Sequence, residues 1–216
     1  MDGKAGESPV VHGVPYFSQW ESPELVADLV AGRRRASQDP LWRNSGAESR
    51  DSYEFWSGRL CGVACLRMAL KFWFGTTPTA FDIVRECLDA GVYRLDGQKV
   101  HGLIYAPFAD YVTNRWRIQA DSRPQLPVSQ LRGLIQEGAL PLLSVHKSIR
   151  TPEVTPPSRG GHLVLGVGSS DSSIYLHNPS GFHNLSQQFA EVSWHDFDRF
   201  YAGRGVVLRP LDPRVG

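Results

Sequence analysis

Residues 61–75 read CGVACLRMALKFWFG and carry the clearest structural pattern in the chain. Its apolar residues recur every three or four positions until Gly75, which is the pattern of a buried helix that ends at a glycine. Cys61 falls in the first turn of that helix. Unpaired backbone N–H groups and the positive end of the helix dipole favour an anion there, so this cysteine is suited to act as a thiolate nucleophile.

A base for the Cys61 thiol has to come from another part of the chain. His162 follows two glycines and opens the most apolar predicted strand, HLVLGVGSS (162–170). Asn178 lies at the end of the next predicted strand, SIYLHNP (173–179). If the two strands pair as a hairpin, His162 and Asn178 lie at the same open end. The amide of Asn178 can then accept a hydrogen bond from the imidazole and fix its orientation.

Four further residues are predicted to surround this pair. The side-chain amide of Gln19 is a donor that would form an oxyanion hole together with the backbone N–H of Cys61. For substrate binding, Gly62 would let a substrate backbone come close, and Gly161 would line a gap beside the histidine. His146, at the end of a predicted strand, is placed at the rim of the cleft.

The cysteines allow two other interpretations. Cys65 lies one turn further along the same helix and competes as the nucleophile, although its apolar neighbours predict that it is buried. A structural zinc ion would need four ligands, with a short cysteine spacing on a turn. Cys61 and Cys65 lie within a helix and a fourth ligand is not apparent, so we predict no metal and no cofactor.

Helical periodicity dominates the first half of the chain and strand periodicity the second. Besides 61–75, the predicted helices are 23–35, 79–90, 103–114, 129–137 and 194–201. The predicted strands are 140–146, 162–170, 173–179 and 205–210. Helices that are followed by strands with hairpin-like spacing indicate an α+β domain with an antiparallel sheet.

The length of the chain fits one domain over residues 1–216, because a chain of this size with 41% hydrophobic residues can bury one sizeable core. Residues 21–57 are interpreted as an insertion that consists of a helix and a long polar loop. Four aromatic residues lie in this loop: Trp42, Tyr53, Phe55 and Trp56. They either cover the cleft as a lid or attach the loop to the core, and the sequence leaves both alternatives open.

Charge and hydropathy exclude several classes of partner. Lys plus Arg (23) nearly balance Asp plus Glu (22), so no overall field favours nucleic acid or an anionic membrane. The N-terminus has no apolar segment of signal-peptide length, and no stretch approaches the roughly 20 apolar residues of a membrane span, so we expect a cytoplasmic protein. Three cysteines are an odd and sparse set, which fits free thiols in a reducing compartment.

The sequence also resembles a known family. CGVACLRMALKFWFG (61–75) is similar to the nucleophile helix of the double-glycine leader peptidases, family thirty-nine of the cysteine peptidases, in which a Cys-Gly-x-Ala-Cys/Ser-Leu-x-Met pattern recurs. VPYFSQW (14–20) resembles the N-terminal glutamine segment of their stand-alone relatives. GGHLVLGVG (160–168) resembles their histidine strand, and YLHNPSG (175–181) resembles the turn that carries their third residue.

This resemblance implies a papain-like fold and thiol chemistry on an acyl group. It implies Cys61 as nucleophile, His162 as base, Asn178 as the orienting residue and Gln19 as oxyanion donor. The chain departs from the family by having Asn where Asp is frequent, and by a longer gap between the glutamine and the nucleophile. Leader peptidases are also typically joined to an export transporter, and no such segment is present in the sequence.

Three functions fit these residues. We expect a peptidase or amidohydrolase that acts on a peptide or small amide, in which Cys61 attacks a carbonyl and water releases the product. An acyl transferase would pass the same thioester to an amine in a peptide or small-molecule pathway. A catalytically silent binding module is the third alternative, and the intact set of four residues argues against it. The sequence does not define the oligomeric state.

Overall fold

The structure is a computed structural model that describes residues 8–211, in which helices pack on an antiparallel sheet. The helices are α1 (Val26–Val30), α2 (Arg50–Ser57), α3 (Cys61–Phe74), α4 (Ala80–Asp89), α5 (Tyr105–Arg115), α6 (Val128–Gln136) and α7 (Trp194–Phe200). Short 3-10 helices cover Pro23–Leu25, Ala36–Gln38, Trp42–Ser45 and Lys147–Arg150. Within the described range, no helix is both long enough and apolar enough to cross a bilayer.

The strands form one large sheet and one small hairpin. They are β1 (Val10–Val11), β2 (Arg94–Asp96), β3 (Lys99–His101), β4 (Ile118–Arg123), β5 (Leu140–Val145), β6 (His162–Ser169), β7 (Ser173–His177), β8 (Ala190–Ser193) and β9 (Tyr201–Pro210). In the large sheet the order is β4-β9-β5-β6-β7-β8, with β1 paired to the far end of β6, and every pairing is antiparallel. Strands β2 and β3 form the separate hairpin.

The central strands β5 and β6 are covered by apolar side chains on both faces. Leu142 and Leu165 belong to the larger hydrophobic cluster, which contains the buried residues of α3, α4 and α5. Leu143 and Val164 belong to a second cluster, with α6 and α7. Because side chains alternate along a strand, burial of both faces requires the continuous apolar runs that the sequence shows. The α+β class with an antiparallel sheet is confirmed.

Helix α3 lies against β6 and β5 and is buried along almost its whole length. It ends at Gly75, whose φ of +70° is in the left-handed region that favours glycine at a helix end. Cys61 is the first residue of the helix. The predicted helix 61–75 is therefore present, and its N-terminus is packed against the sheet near the first residues of β6.

Some boundaries differ from the sequence prediction. The predicted helix 23–35 consists only of a 3-10 turn and the five-residue α1, because Gly32 adopts a φ of +70° and ends it. The predicted loop contains α2, which begins after Ser49, whose hydroxyl accepts a hydrogen bond from the backbone N–H of Ser52 at 3.1 Å. Strands β4 and β8 were not predicted. Both lie at edges of the sheet and alternate poorly between polar and apolar residues.

The segment 21–57 is attached to the core. Trp42, Tyr53 and Trp56 are buried in the larger hydrophobic cluster. Asp39 is also fully buried, and it accepts hydrogen bonds from the backbone N–H of Ser22 at 3.1 Å, from the Ser22 hydroxyl at 2.6 Å and from the Tyr53 hydroxyl at 2.7 Å. Of the two alternatives for these aromatic residues, the structure therefore shows attachment to the core.

Candidate active site

His162 and Asn178 meet at the ends of neighbouring strands. His162 is the first residue of β6, and its Nε2 lies 2.8 Å from Oδ1 of Asn178, the residue that follows β7. The backbone N–H of Ser180 donates to the same Oδ1 at 3.1 Å. Because a backbone N–H can only donate, the Asn178 atom that faces the ring is its oxygen, and His162 must carry a proton on Nε2. In the neutral ring this tautomer leaves Nδ1 as the acceptor.

The thiol of Cys61 lies beside the first residues of β6. It is half-buried, and Cys61 and His162 line the same cleft. The backbone N–H of Leu163, the residue after His162, is close enough to favour the thiolate form of Cys61 by hydrogen bonding. Cys65 is fully buried, and its thiol points to the Leu163 carbonyl oxygen at 3.9 Å. Of the two cysteines, Cys61 is the one that reaches the cleft.

Gln19 reaches the same cleft from the N-terminal segment. Its side-chain Nε2 donates to the carbonyl oxygen of Ser57, the last residue of α2, at 3.1 Å. An amide nitrogen carries two hydrogens, so a second N–H remains for a substrate oxygen. The structure thus places Gln19, Cys61 and His162 on one cleft, with Asn178 behind the histidine.

The segment that leads to Gln19 is fixed to the turn that follows Asn178. The Tyr16 hydroxyl donates to the carbonyl oxygen of Asn178 at 3.0 Å. The carbonyl oxygen of Pro179 accepts two hydrogen bonds, from the Ser18 hydroxyl and from the backbone N–H of Gln19, both at 2.9 Å. These bonds define where Gln19 stands relative to the histidine.

Arg150 and Ser180 extend the polar network, and neither was predicted. Arg150 donates through Nε to the Ser180 carbonyl oxygen at 2.6 Å and to its hydroxyl at 3.1 Å, and through Nη2 to the same hydroxyl at 2.7 Å. The Ser180 hydroxyl is also 3.0 Å from Nε2 of His162. Ser180 therefore lies between the positive charge of Arg150 and the ring of His162. Arg150 itself also lines the cleft.

Burial determines the charge states of the site. It raises the pKa of Cys61, although neighbouring backbone N–H groups and the charge of Arg150 act in the opposite direction. Burial also lowers the pKa of His162 to about 4, a change that the hydrogen bond to Asn178 opposes and Arg150 reinforces. The position of Cys61 in the helix predicts a lowered thiol pKa, but the cost of removing the thiolate from water is larger. Both shifts favour the neutral thiol and the neutral imidazole.

The three predicted substrate-binding residues occupy different environments. Gly161 is exposed, has a φ of +95° and lines the cleft. Gly62 is buried instead, and a Cβ there would lie 2.3 Å from Cδ1 of Leu103, so the missing side chain makes room for Leu103 and not for a substrate. His146 does not line the cleft. Its Nδ1 accepts from the backbone N–H of Ser148 at 3.2 Å and caps the 3-10 helix that carries Arg150.

The sequence offered one signal for Ser180 and none for Arg150. Leu165 pairs with His177 in the β6–β7 hairpin, and three more residues along each strand bring position 180 opposite His162. The register of the hairpin could thus have indicated Ser180. Arg150 lies in an irregular polar segment without periodicity. Among the residues that the structure describes, no group of three or more His, Cys, Asp or Glu side chains is placed to hold a metal ion.

Comparison with known proteins gives similarity in structure only. No protein-family model matches the sequence, and no curated protein matches it either. A Bacillus anthracis protein assigned as a C39-like peptidase has a TM-score of 0.57 and 14% sequence identity, over 94% of this chain and 98% of that one. The peptidase domain of Streptococcus ComA, a bi-functional ABC transporter of a quorum-sensing pathway, has a TM-score of 0.48 and 15% identity, over 71% and 93%.

A third structure is a double-glycine motif protease from an AMS/PCAT transporter in complex with the leader peptide, with a TM-score of 0.46 and 17% identity over 69% of this chain and 84% of that one. The similarity to the Bacillus anthracis protein extends over nearly the whole chain, and at this level of identity it defines the fold. The chain therefore shares the α+β fold of that C39-like structure, the fold that its sequence predicts.

Proposed function

We propose that the protein is a papain-like cysteine peptidase or amidohydrolase in which Cys61 is the nucleophile and His162 the base. The observation that supports this most is the hydrogen bond of 2.8 Å from His162 Nε2 to Asn178 Oδ1. It assigns the Nε2–H tautomer and leaves the lone pair of Nδ1 for the thiol proton, in a cleft that Cys61 shares. Asn178 acts as the orienting residue, as the third member of a catalytic triad does.

The acylation step follows from these positions. Nδ1 of His162 takes the thiol proton while the sulfur of Cys61 attacks the carbonyl carbon of an amide, and the carbonyl oxygen becomes an oxyanion. The free N–H of Gln19 and the backbone N–H of Cys61 donate to this oxyanion. When the tetrahedral intermediate collapses, the C–N bond breaks, His162 returns the proton to the leaving nitrogen, and an amine and a thioester remain.

The deacylation step uses the same residues. His162 removes a proton from water as the water oxygen attacks the thioester carbon. The C–S bond then breaks, the product leaves as a carboxylic acid, and the proton returns to the sulfur of Cys61. Because burial favours the neutral thiol and the neutral imidazole, His162 acts as a general base in both steps.

Thiol alkylation tests this proposal without a known substrate. The protein is treated with a small excess of iodoacetamide between pH 5 and 9, and adducts are located by intact mass and peptide mapping. We expect one adduct, on Cys61, because Cys65 and Cys87 are fully buried. The His162→Ala variant should lose at least about tenfold in rate at pH 7, since a positioned general base typically contributes 10²–10⁴-fold.

Two controls accompany this measurement. Cys65→Ala should keep the rate at Cys61, and Cys61→Ala should abolish the adduct. A second readout is acylation by p-nitrophenyl acetate, which should leave an acetyl group on Cys61 in the wild type and not in His162→Ala. If the adduct forms on Cys65 or Cys87, or if its rate at Cys61 is indifferent to His162, the catalytic assignment is wrong.

A further inference from the structure

The cleft that contains Cys61 is ringed by positive charge. It has a volume of about 800 Å³, which is within the range of ligand-binding sites. Four cationic side chains line it: Arg59, Lys147, Arg150 and Arg204. None of the described residues that line it is Asp or Glu. This asymmetry belongs to the cleft, because the chain as a whole is balanced, with 23 basic and 22 acidic residues.

The four cations come from three segments of the chain. Arg59 lies two residues before Cys61, in the turn between α2 and α3. Lys147 and Arg150 lie on one 3-10 helix, and Arg150 is close enough to lower the pKa of the thiol. Arg204 lies beside the glycines that precede His162, since a Cβ on Gly160 would be 3.5 Å from its Nη2.

Lys147 and Arg204 are available to a ligand, whereas the guanidinium of Arg59 donates to the carbonyl oxygen of Phe55 and lies over its ring, and Arg150 is bonded to Ser180. Within residues 8–211 none of the four forms an ion pair, whereas Arg67 pairs with Glu21 and Arg115 with Glu86. Arg59, Lys147 and Arg204 are exposed to solvent. A single exposed cation attracts a carboxylate only weakly. Several of one sign around a concave surface reinforce each other, because the low-dielectric walls focus their field.

We propose that the cleft is selective for acyl substrates that carry a carboxylate close to the scissile amide, such as peptides with Asp or Glu beside that bond. The inference rests on the proposed thiol chemistry at Cys61 and adds to it the class of substrate. A carboxylate is the specific expectation because the proposed reaction acts on amides, and peptides carry their negative charge on carboxylates. Lys147 and Arg204 bind this group, Arg59 adds to the positive field from its place on Phe55, and Arg150 stays with Ser180 and the thiol.

A pair of alkylating reagents isolates the effect of substrate charge. Iodoacetate carries a carboxylate next to its reactive carbon, and iodoacetamide is its neutral analogue. The ratio of their rates at Cys61 cancels the reactivity of the thiol itself, and the same ratio for N-acetylcysteinamide provides the reference. We expect the protein ratio to exceed the reference by about tenfold or more at low salt and to fall with ionic strength.

Variants assign the effect to the cleft. The double variant Lys147→Gln/Arg204→Gln should lose most of the excess, and Lys71→Gln, which changes an exposed lysine near the opposite end of α3, should keep it. If the ratio equals the reference, or if the Lys71 variant changes it as much as the double variant, the carboxylate preference is wrong and the proposed function still stands. If neither reagent alkylates Cys61, the proposed function fails and the inference fails with it.

Discussion

The guanidinium of Arg150 donates two hydrogen bonds to the hydroxyl of Ser180, from Nε at 3.1 Å and from Nη2 at 2.7 Å. The single hydrogen of Nε is shared with the carbonyl oxygen of Ser180 at 2.6 Å, and because the hydroxyl oxygen accepts from Arg150, its own hydrogen points to another acceptor. Oδ1 of Asn178, at 3.3 Å, is the acceptor within reach, since Nε2 of His162 already carries a proton. Arg150 therefore holds Ser180 against Asn178, and its charge acts on both Cys61 and His162.

Replacing Arg150 separates these two effects. Arg150→Gln removes a charge that lowers the pKa of Cys61, so the alkylation of Cys61 by iodoacetamide should move to higher pH. Arg150→Lys keeps a charge and loses the paired donors to Ser180, so it should retain most of the wild-type pH profile. The measurement is the pH dependence of labelling at Cys61. Identical pH profiles for the Gln and Lys variants would show that the charge at position 150 does not affect the pKa of Cys61.

Asn178 should respond differently to two substitutions. Asn178→Asp keeps an acceptor for Nε2 and adds a negative charge that favours the imidazolium, so the pKa of His162 should rise from its value of about 4. Asn178→Ala removes the acceptor that fixes the tautomer, and acylation by p-nitrophenyl acetate should slow by roughly 10- to 100-fold.

The pKa in the Asn178 variants is measured from the NMR titration of the ring protons of His162. The His162→Gln variant identifies the signal, because the resonance of the His162 ring protons should be missing from its spectrum. A titration that is unchanged in Asn178→Asp would mean that the asparagine does not contact the ring in solution.

The buried His162 should make folding stability depend on pH. Its pKa is lowered from 6.5 to about 4 in the folded protein, so between these values the unfolded chain binds a proton that the folded chain does not. Stability should therefore fall as the pH is lowered from about 6.5 to 4, by up to about 3 kcal/mol from this group, and change little from it below that range. His177, whose pKa is also lowered by burial, contributes in the same direction.

Urea unfolding at several pH values measures this contribution. The wild type is compared with His162→Gln, which should show a smaller loss of stability on acidification. His101→Gln, a change at an exposed histidine, is the matched control and should follow the wild type. Parallel curves for His162→Gln and the wild type would contradict the buried neutral state of this imidazole.

Asp39 should be essential for the attachment of segment 21–57. Asp39→Ala leaves the buried donors of Ser22 and Tyr53 without an acceptor, and it should cost about 3–5 kcal/mol in the free energy of unfolding. Asp110→Ala, at an exposed position of α5, should stay within about 0.5 kcal/mol of the wild type. Denaturant unfolding compares the two variants. Equal stabilities would mean that segment 21–57 folds independently of Asp39.

Gly62 offers a test of packing next to the thiol. In Gly62→Ala the new Cβ would be 2.3 Å from Cδ1 of Leu103 and 3.0 Å from Cδ1 of Leu163, so we expect a loss of about 1–3 kcal/mol. Leu103→Ala in the same chain removes the closer contact and should recover part of that loss, which a double-mutant cycle measures. Additive losses would contradict the close contact between Gly62 and Leu103.

The sequence predicts the fold best where one periodicity is unbroken. α3, β5 and β6 are buried over nearly all their residues, so their apolar patterns had no competing interpretation. β4 has the sequence IQADSR and one fully buried residue, so it lacks the pattern of a strand. α2 is preceded by polar residues that resemble a loop, and its start depends on a single serine cap. Tertiary contacts define these elements.

The sequence also predicts some parts of the candidate site and not others. His162 and Asn178 could be predicted to meet because hairpin pairing brings consecutive strand ends together, and the structure places them 2.8 Å apart. Gly62 and His146 were given substrate contacts, but neither lines the cleft, because the first packs under Leu103 and the second caps a 3-10 helix. The charge states also depend on burial, which sequence position does not reveal.

The hydrogen bonds of the N-terminal segment to the turn at Pro179 determine when the site can form during synthesis. Ser18 and Pro179, which are joined by one of these bonds, are 161 residues apart in the chain. The ribosome releases the N-terminal residues first, so Gln19 and Cys61 are synthesised well before the hairpin that carries His162 and Asn178. If the proposed function holds, a nascent chain therefore has its thiol long before it has its base, and it would not react with neighbouring amides until residue 178 has emerged.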